Sequence, residues 1–156
     1  MKGKGVIMSM DTAEAFELLF DKNNKTAYRA LQELQKESVE TDKVYPYMDR
    51  LGDMLENDNS YIRTRGLTLI AHNARWDKDN KIDEIIDGYL KHITDVKPIT
   101  ARQCIKLLPM IAKDKPELRN DICSALERAD ISFYYDIIKP LVYKYIQKAL
   151  KEIQKL

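Results

Sequence analysis

The 156-residue chain has little of what small proteins use for chemistry or for stapling: two cysteines, two histidines, one tryptophan, five glycines and five prolines. Two cysteines do not make the disulfide framework of a small secreted domain, and Cys104 and Cys123 lie within apolar helical patterns, where they read as reduced core thiols. Scarce glycine leaves no phosphate-cradling loop, and no strand hairpin can be read. No apolar run is long enough to span a bilayer, and 33% of residues are charged. Neither sign of charge dominates: 26 Lys and Arg stand against 25 Asp and Glu, for a net +1, which removes any global pull toward nucleic acid or membrane surface. The run Val6 to Met10, behind Lys2 and Lys4, is interrupted by Ser9 and too short for a signal peptide core. We therefore expect residues 1–10 to be flexible, residues 11–156 to form one domain, and the protein to be cytoplasmic. A chain of this length buries roughly two-thirds of its unfolded surface, so it can stabilise a core without staples.

What is present is helical periodicity. Ile82, Ile85, Ile86, Tyr89, Leu90 and Ile93 form one apolar face at 3.6 residues per turn. Similar faces start from Ala13, Val44 and Leu118, and each is followed by a second helix, beginning near Lys25, Ser60, Pro98 and Ile131 after a short polar turn. Start signals accompany them: Asp11 with Glu14 resembles a capping box, Ser60 reads as an N-cap, and Pro98 and Pro116 suit first-turn positions. The pattern repeats. Phe16 and Phe20 map onto Leu51 and Leu55 at a shift of 35, Ile82, Ile86 and Leu90 onto Leu118, Ile122 and Leu126 at 36, and Arg29, Arg65 and Arg102 onto one another at 36 and 37. An all-α architecture of about four two-helix repeats follows.

At this point a family resemblance is specific. Asn59-Ser-Tyr-Ile-Arg-Thr-Arg-Gly-Leu and Pro98-Ile-Thr-Ala-Arg-Gln-Cys resemble the opening of the second helix in HEAT repeats. More narrowly, Val44-Tyr-Pro-Tyr-Met, Trp76-Asp-Lys-Asp-Asn-Lys-Ile-Asp and Lys97-Pro-Ile-Thr-Ala-Arg-Gln are similar to small bacterial HEAT-like proteins, over about residues 11–150. Some of those carry an iron–sulfur cluster assembly (SufBD-like) label, which is not carried over because the chain has no cluster-ligand spacing. The resemblance implies a right-handed α-solenoid of the HEAT/armadillo type, with second helices lining the concave face. The fourth repeat departs from the pattern, with Tyr135-Asp136 where the arginine would fall and Pro140 in its second helix, and reads as a C-terminal cap.

Candidate chemistry is sparse. Asp77, Asp79 and Asp83 match positions one, three and seven of a calcium loop, but Ile82 and Gly88 stand where Gly and a bidentate Glu are needed, so the cluster reads as acidic charge at a helix N-terminus. His72 and His92 have no partners at zinc spacing, and no nucleophile, base and orienter form a local signature. The sequence thus points to no metal, no cofactor and no enzyme. Gly66 and Gly88 inside helices suggest close helix approach, Trp76 a plug between repeats, and the tyrosine pairs 45/47, 134/135 and 143/145 one ring inward and one outward.

Charge is segregated between the helix sets. Residues 11–21, 42–56, 77–94 and 114–128 carry a net −9, while 25–36, 60–76, 97–113 and 131–150 carry a net +11. Combined with the resemblance, this implies a basic groove and an acidic back. Arg29, Arg65 and Arg102 are expected to form an internal ladder to acids of neighbouring repeats, whereas Arg63, Arg75, Lys106, Lys113 and Lys144 are expected to remain unpaired and to line a partner-binding groove. The expected function is a non-catalytic scaffold for an acidic or amphipathic protein segment. The alternative is binding of nucleic acid backbone, by resemblance to HEAT-like DNA alkylation repair proteins; no membrane partner is expected.

Overall fold

The computed structural model describes residues 10–156, and regular structure among them is helical throughout. Eight α-helices follow one another: α1 (Thr12–Leu18), α2 (Asn24–Glu40), α3 (Met48–Met54), α4 (Ser60–His72), α5 (Lys81–Leu90), α6 (Pro98–Asp114), α7 (Arg119–Arg128) and α8 (Lys139–Gln154). Short 3₁₀ turns at Tyr45–Tyr47, Ala74–Trp76, Lys91–Thr94 and Pro116–Leu118 extend or join them. Each odd-numbered helix packs with the even-numbered one that follows, α5 doing so through the Lys91–Thr94 turn. The even-numbered helices stack in sequence, α2 on α4, α4 on α6, α6 on α8. This is an α-solenoid of four hairpins, in which a hairpin buries its apolar face only against its neighbours. None of the described helices is long and apolar enough to cross a membrane. The expectation of a flexible 1–10 falls, except for Met10, outside the described residues.

The helices form where periodicity and capping agree. In α5, Ile82, Ile86 and Tyr89 recur at helical spacing and all are buried. Its start is held from outside: the Asp77 carboxylate accepts the amides of Lys81 and Ile82, each at 2.9 Å. Between them Asn80 takes φ 58°, a left-handed conformation that asparagine tolerates. Asn23 and Asn59 cap α2 and α4 with their side-chain oxygens. The cap of α4 is thus Asn59 rather than Ser60, which is the first helical residue. Asp11 occupies the N-cap of α1, but its carboxylate makes no capping bond, so the expected box with Glu14 is not formed.

Two features depart from the helical reading. Pro109 lies inside α6, where it removes a backbone donor. The helix continues because Cys104, Ile105, Leu108, Ile111 and Ala112 on both sides of it are buried. In the fourth hairpin, residues 131–138 do not belong to a helix, and α8 begins at Lys139 with Pro140 in its first turn, where a missing N–H is harmless. The intervening segment is pinned by Tyr134, which is buried and donates its hydroxyl to the Asp95 carbonyl.

A single apolar core runs through all hairpins, from Ala15 and Phe16 to Leu150 and Ile153. Gly66 lies where α4 meets α3: a Cβ there would sit 2.9 Å from Met54 Cβ and 3.2 Å from the Leu51 carbonyl oxygen, so only hydrogen fits. At Gly88 an added Cβ would meet nothing within 4 Å, and the expected close approach does not exist there. Trp76 plugs an inter-repeat junction, its indole donating to the Ser38 carbonyl at 2.7 Å. Both cysteines are free thiols.

Candidate functional site

On the face shared by α2, α4 and α6 lies a cavity of about 780 Å³. Its rim carries Tyr28, Tyr61 and Ile99, one from each helix and each more than half exposed. Its lining is mostly uncharged, with Arg65 and Lys97 its two cationic residues. Thr64 and Thr100 share a hydrogen bond at 3.0 Å across α4 and α6, and Gln35 meets His72 at 3.4 Å across α2 and α4. Those polar groups are satisfied by one another, which leaves a smooth surface bordered by aromatic and aliphatic side chains.

The expected basic residues divide unequally over this face. Arg63 is not an unpaired groove residue: it is buried, and its guanidinium grips Asp95 in two bonds, Nε to Oδ2 at 2.9 Å and Nη2 to Oδ1 at 2.7 Å, while Nη1 donates to the carbonyls of Asn57 and Asp58. Arg75 is exposed and donates to the Val39 carbonyl at 2.9 Å. Lys106, Lys113 and Lys144 are exposed and form no ion pair among the described residues. Lys106 and Lys113 follow Ile99 by 7 and 14 residues, so on α6 they continue its stripe at about 10 and 21 Å. Lys144 sits on α8, and none of Arg63, Arg75, Lys106, Lys113 and Lys144 is part of the cavity lining. Positive charge on this face is therefore spread over Arg65 of α4 and Lys97 at the cavity, Lys106 and Lys113 further along α6, and exposed Arg29 on α2.

The expected arginine ladder is also redrawn. Arg65 is a buried strut between the first two hairpins, but its partners are neutral: the Leu19 carbonyl at 2.8 Å and Asn24 Oδ1 at 3.1 Å. Burial lowers its pKa. Arg102 is half-buried over the Tyr145 ring, 5.7 Å from its centroid, and Arg29 is exposed with no ion pair among the described residues. The reason is position in the stack. Helix α2 has a stacked neighbour on one side only, which leaves Arg29 in water, whereas α4 and α6 are both flanked on two sides, and α8 sets the Tyr145 ring rather than a carboxylate against Arg102.

Two buried charge clusters tie repeats together, and sequence reasoning found neither. Asp95 accepts from Arg63, from His92 Nδ1 at 2.7 Å and from the Lys97 amide at 2.9 Å. Burial pushes its carboxyl up, but these bonds outweigh that and hold it far below the usual range. Lys115, 4% exposed, places Nζ 3.1 Å from Asp77, 2.8 Å from Asp83 and 3.1 Å from Glu117, and donates to Asn80 Oδ1 at 2.8 Å. Burial alone would lower its pKa, yet the three carboxylates raise it, so the amine stays protonated and serves as a clamp rather than a nucleophile. Asp77 is held below its ordinary value although burial opposes this, by Tyr45, the Ile82 and Lys81 amides and Lys115. The available signal was the repeat itself: Asp77 and Lys115 lie 38 residues apart, and Arg63 and Asp95 lie 32 apart, at corresponding edges of neighbouring hairpins. Burial raises the Cys104 thiol well above its usual pKa, which makes it inert. No group of three His, Cys, Asp or Glu among the described residues has metal-holding geometry.

No curated protein matches the chain. No solved structure matches it. The model of the HEAT repeat domain family matches residues 8–150, and with its stacked hairpins and inter-repeat struts the chain belongs to the HEAT repeat family.

Proposed function

We propose that the protein is a non-catalytic scaffold that receives an acidic, amphipathic protein segment across α2, α4 and α6. The observation that carries this reading is the rim of Tyr28, Tyr61 and Ile99, three exposed apolar side chains on successive helices over a cavity of about 780 Å³. Neighbouring helices pack about 8–10 Å apart, so three such anchors are spaced for the apolar face of one bound segment. Lys106 and Lys113 continue the Ile99 stripe and supply positive charge to one side of it. HEAT repeat domains commonly serve as interaction scaffolds, which agrees with a site that offers shape and charge but no reactive group.

Lysate treated with nuclease, passed over immobilised wild type, Tyr61→Ala/Ile99→Ser and Lys106→Glu/Lys113→Glu, tests the reading by quantitative mass spectrometry. One polypeptide retained by the wild type and lost by both variants is expected. Retention by all three would remove the groove from the function. If retention disappears with nuclease, and duplex binding falls with salt at about one unit of log–log slope per lysine contact, the surface binds nucleic acid backbone instead.

A further inference from the structure

Six large apolar side chains stand in water along the turn edge of the third and fourth hairpins: Val96, Ile99, Phe133, Tyr135, Ile137 and Leu141. Tyr135 and Ile137 are 83% and 81% exposed, and Val96 is 73% exposed. They are brought to one edge by Tyr134, whose buried hydroxyl donates to the carbonyl of Asp95, the residue before Val96. Asp95 is itself fixed by Arg63 and His92, so the loop between α7 and α8 is anchored at its middle and displays its flanking side chains.

With two aromatic rings of about 150–250 Å² each and four somewhat smaller aliphatic side chains, exposed by 41–83%, the six together leave on the order of 700 Å² of largely apolar area in water. That exceeds the largest patch of a typical monomer, about 300–600 Å². It approaches the ~800 Å² that each partner contributes to a standard interface. The charge within the patch is mixed. Asp136, between Tyr135 and Ile137, has a side chain 99% exposed and lies 3.1 Å from Lys139, while Lys97 adjoins Val96. An acid at the crest opposes burial in lipid. A patch bearing both signs suits a second copy of itself, because a twofold axis passing between Asp136 and Lys97 sets the acid of one copy against the base of the other. We propose that this edge is a symmetric dimer interface covered by a second copy of the chain. The patch meets the groove at Lys97 and Ile99, which line that cavity, but Tyr135, Asp136 and Ile137 do not, so variants at 135 and 137 test the edge separately from the groove.

Sedimentation velocity of the full chain between about 1 and 100 µM reads the equilibrium directly. The wild type should pass from monomer to dimer over that range, and Tyr135→Glu/Ile137→Glu should weaken dimerisation by more than about 100-fold, since each change counts twice in a twofold interface. Circular dichroism and the melting midpoint at the lowest concentration should be unchanged, because both side chains are over four-fifths exposed. Should that variant misfold, Val96→Lys with Tyr135→Ser asks the same question from both sides of the patch. A wild type that stays monomeric throughout, or a dimer indifferent to these substitutions, overturns the proposal. So does a monomer that binds phosphatidylcholine–phosphatidylserine vesicles through Tyr135 and Ile137.

Discussion

Arg63 and Arg65 sit two positions apart on one helix, yet each is bound to a different neighbouring hairpin, Arg63 forward to Asp95 and Arg65 back to Leu19 and Asn24. Arg102, which corresponds to Arg65 one repeat later, has only the Tyr145 ring. Removing one partner of a buried ion pair leaves an uncompensated charge, so Arg63→Ala should lower the unfolding free energy by about 3–5 kcal/mol. Arg102→Ala should cost about 0.5–2 kcal/mol, the worth of a cation–π contact at a half-buried site. Urea unfolding of the two variants decides it, and equal losses would refute the assignment of Arg63 as the strut. The glycines make a similar pair. Gly66→Ala should destabilise by about 1–3 kcal/mol, because its Cβ would overlap Met54. Gly88→Ala has open space around it and should stabilise by up to about 1 kcal/mol through helix propensity. If both changes shift the midpoint in the same direction, the close approach at Gly66 is wrong.

At the scale of elements, much of the architecture can be read from spacing alone. The faces around Ile82, Val44 and Leu118 are helical and buried as their periodicity requires, because burial against a neighbouring hairpin is what the pattern encodes. Boundaries are less legible, since a cap depends on one side-chain bond: Ser60 and Asn59 are both good capping residues, and only geometry shows Asn59 accepting the Tyr61 amide. The start of the second helix in the fourth hairpin is hidden for a different reason. Ile131, Tyr134 and Ile138 fit a helical stripe, but Tyr134 is buried by a hydrogen bond to a residue 39 positions away, and such a long-range bond leaves no local trace. The net +11 of the second helices likewise sums Arg63 and Arg65, consumed as struts, with Lys106 and Lys113, which stay in water, and composition does not distinguish them.

For the whole molecule, cohesion along the stack rests on a continuous apolar core crossed by two buried charge clusters, Arg63–Asp95–His92 and Lys115 with Asp77 and Asp83. Each spans a junction between hairpins, so titrating them should loosen the solenoid as a unit. Asp95 and Asp77 both have folded pKa values below the ordinary ~3.9 of an unfolded aspartate. A depressed carboxylate contributes stability that is fully present above the unfolded value and is lost as pH falls through the folded one. On the alkaline side, Tyr134 is pushed up to about 12 by burial first and then by Asp95, so its contribution is lost as pH rises above the unfolded value of ~10. The melting midpoint should therefore be level from about pH 5 to 9 and fall below about pH 4. In Asp95→Asn the neutral amide cannot hold Arg63 as well, so the variant should melt lower than wild type at pH 7. It should also lose less on passing from pH 7 to 3, because the most strongly depressed of the carboxylates is gone. Calorimetric midpoints at pH 7, 5, 4 and 3 give both comparisons, and an acid decline in Asp95→Asn as steep as in the wild type would show that this pair does not carry the acid sensitivity of the stack.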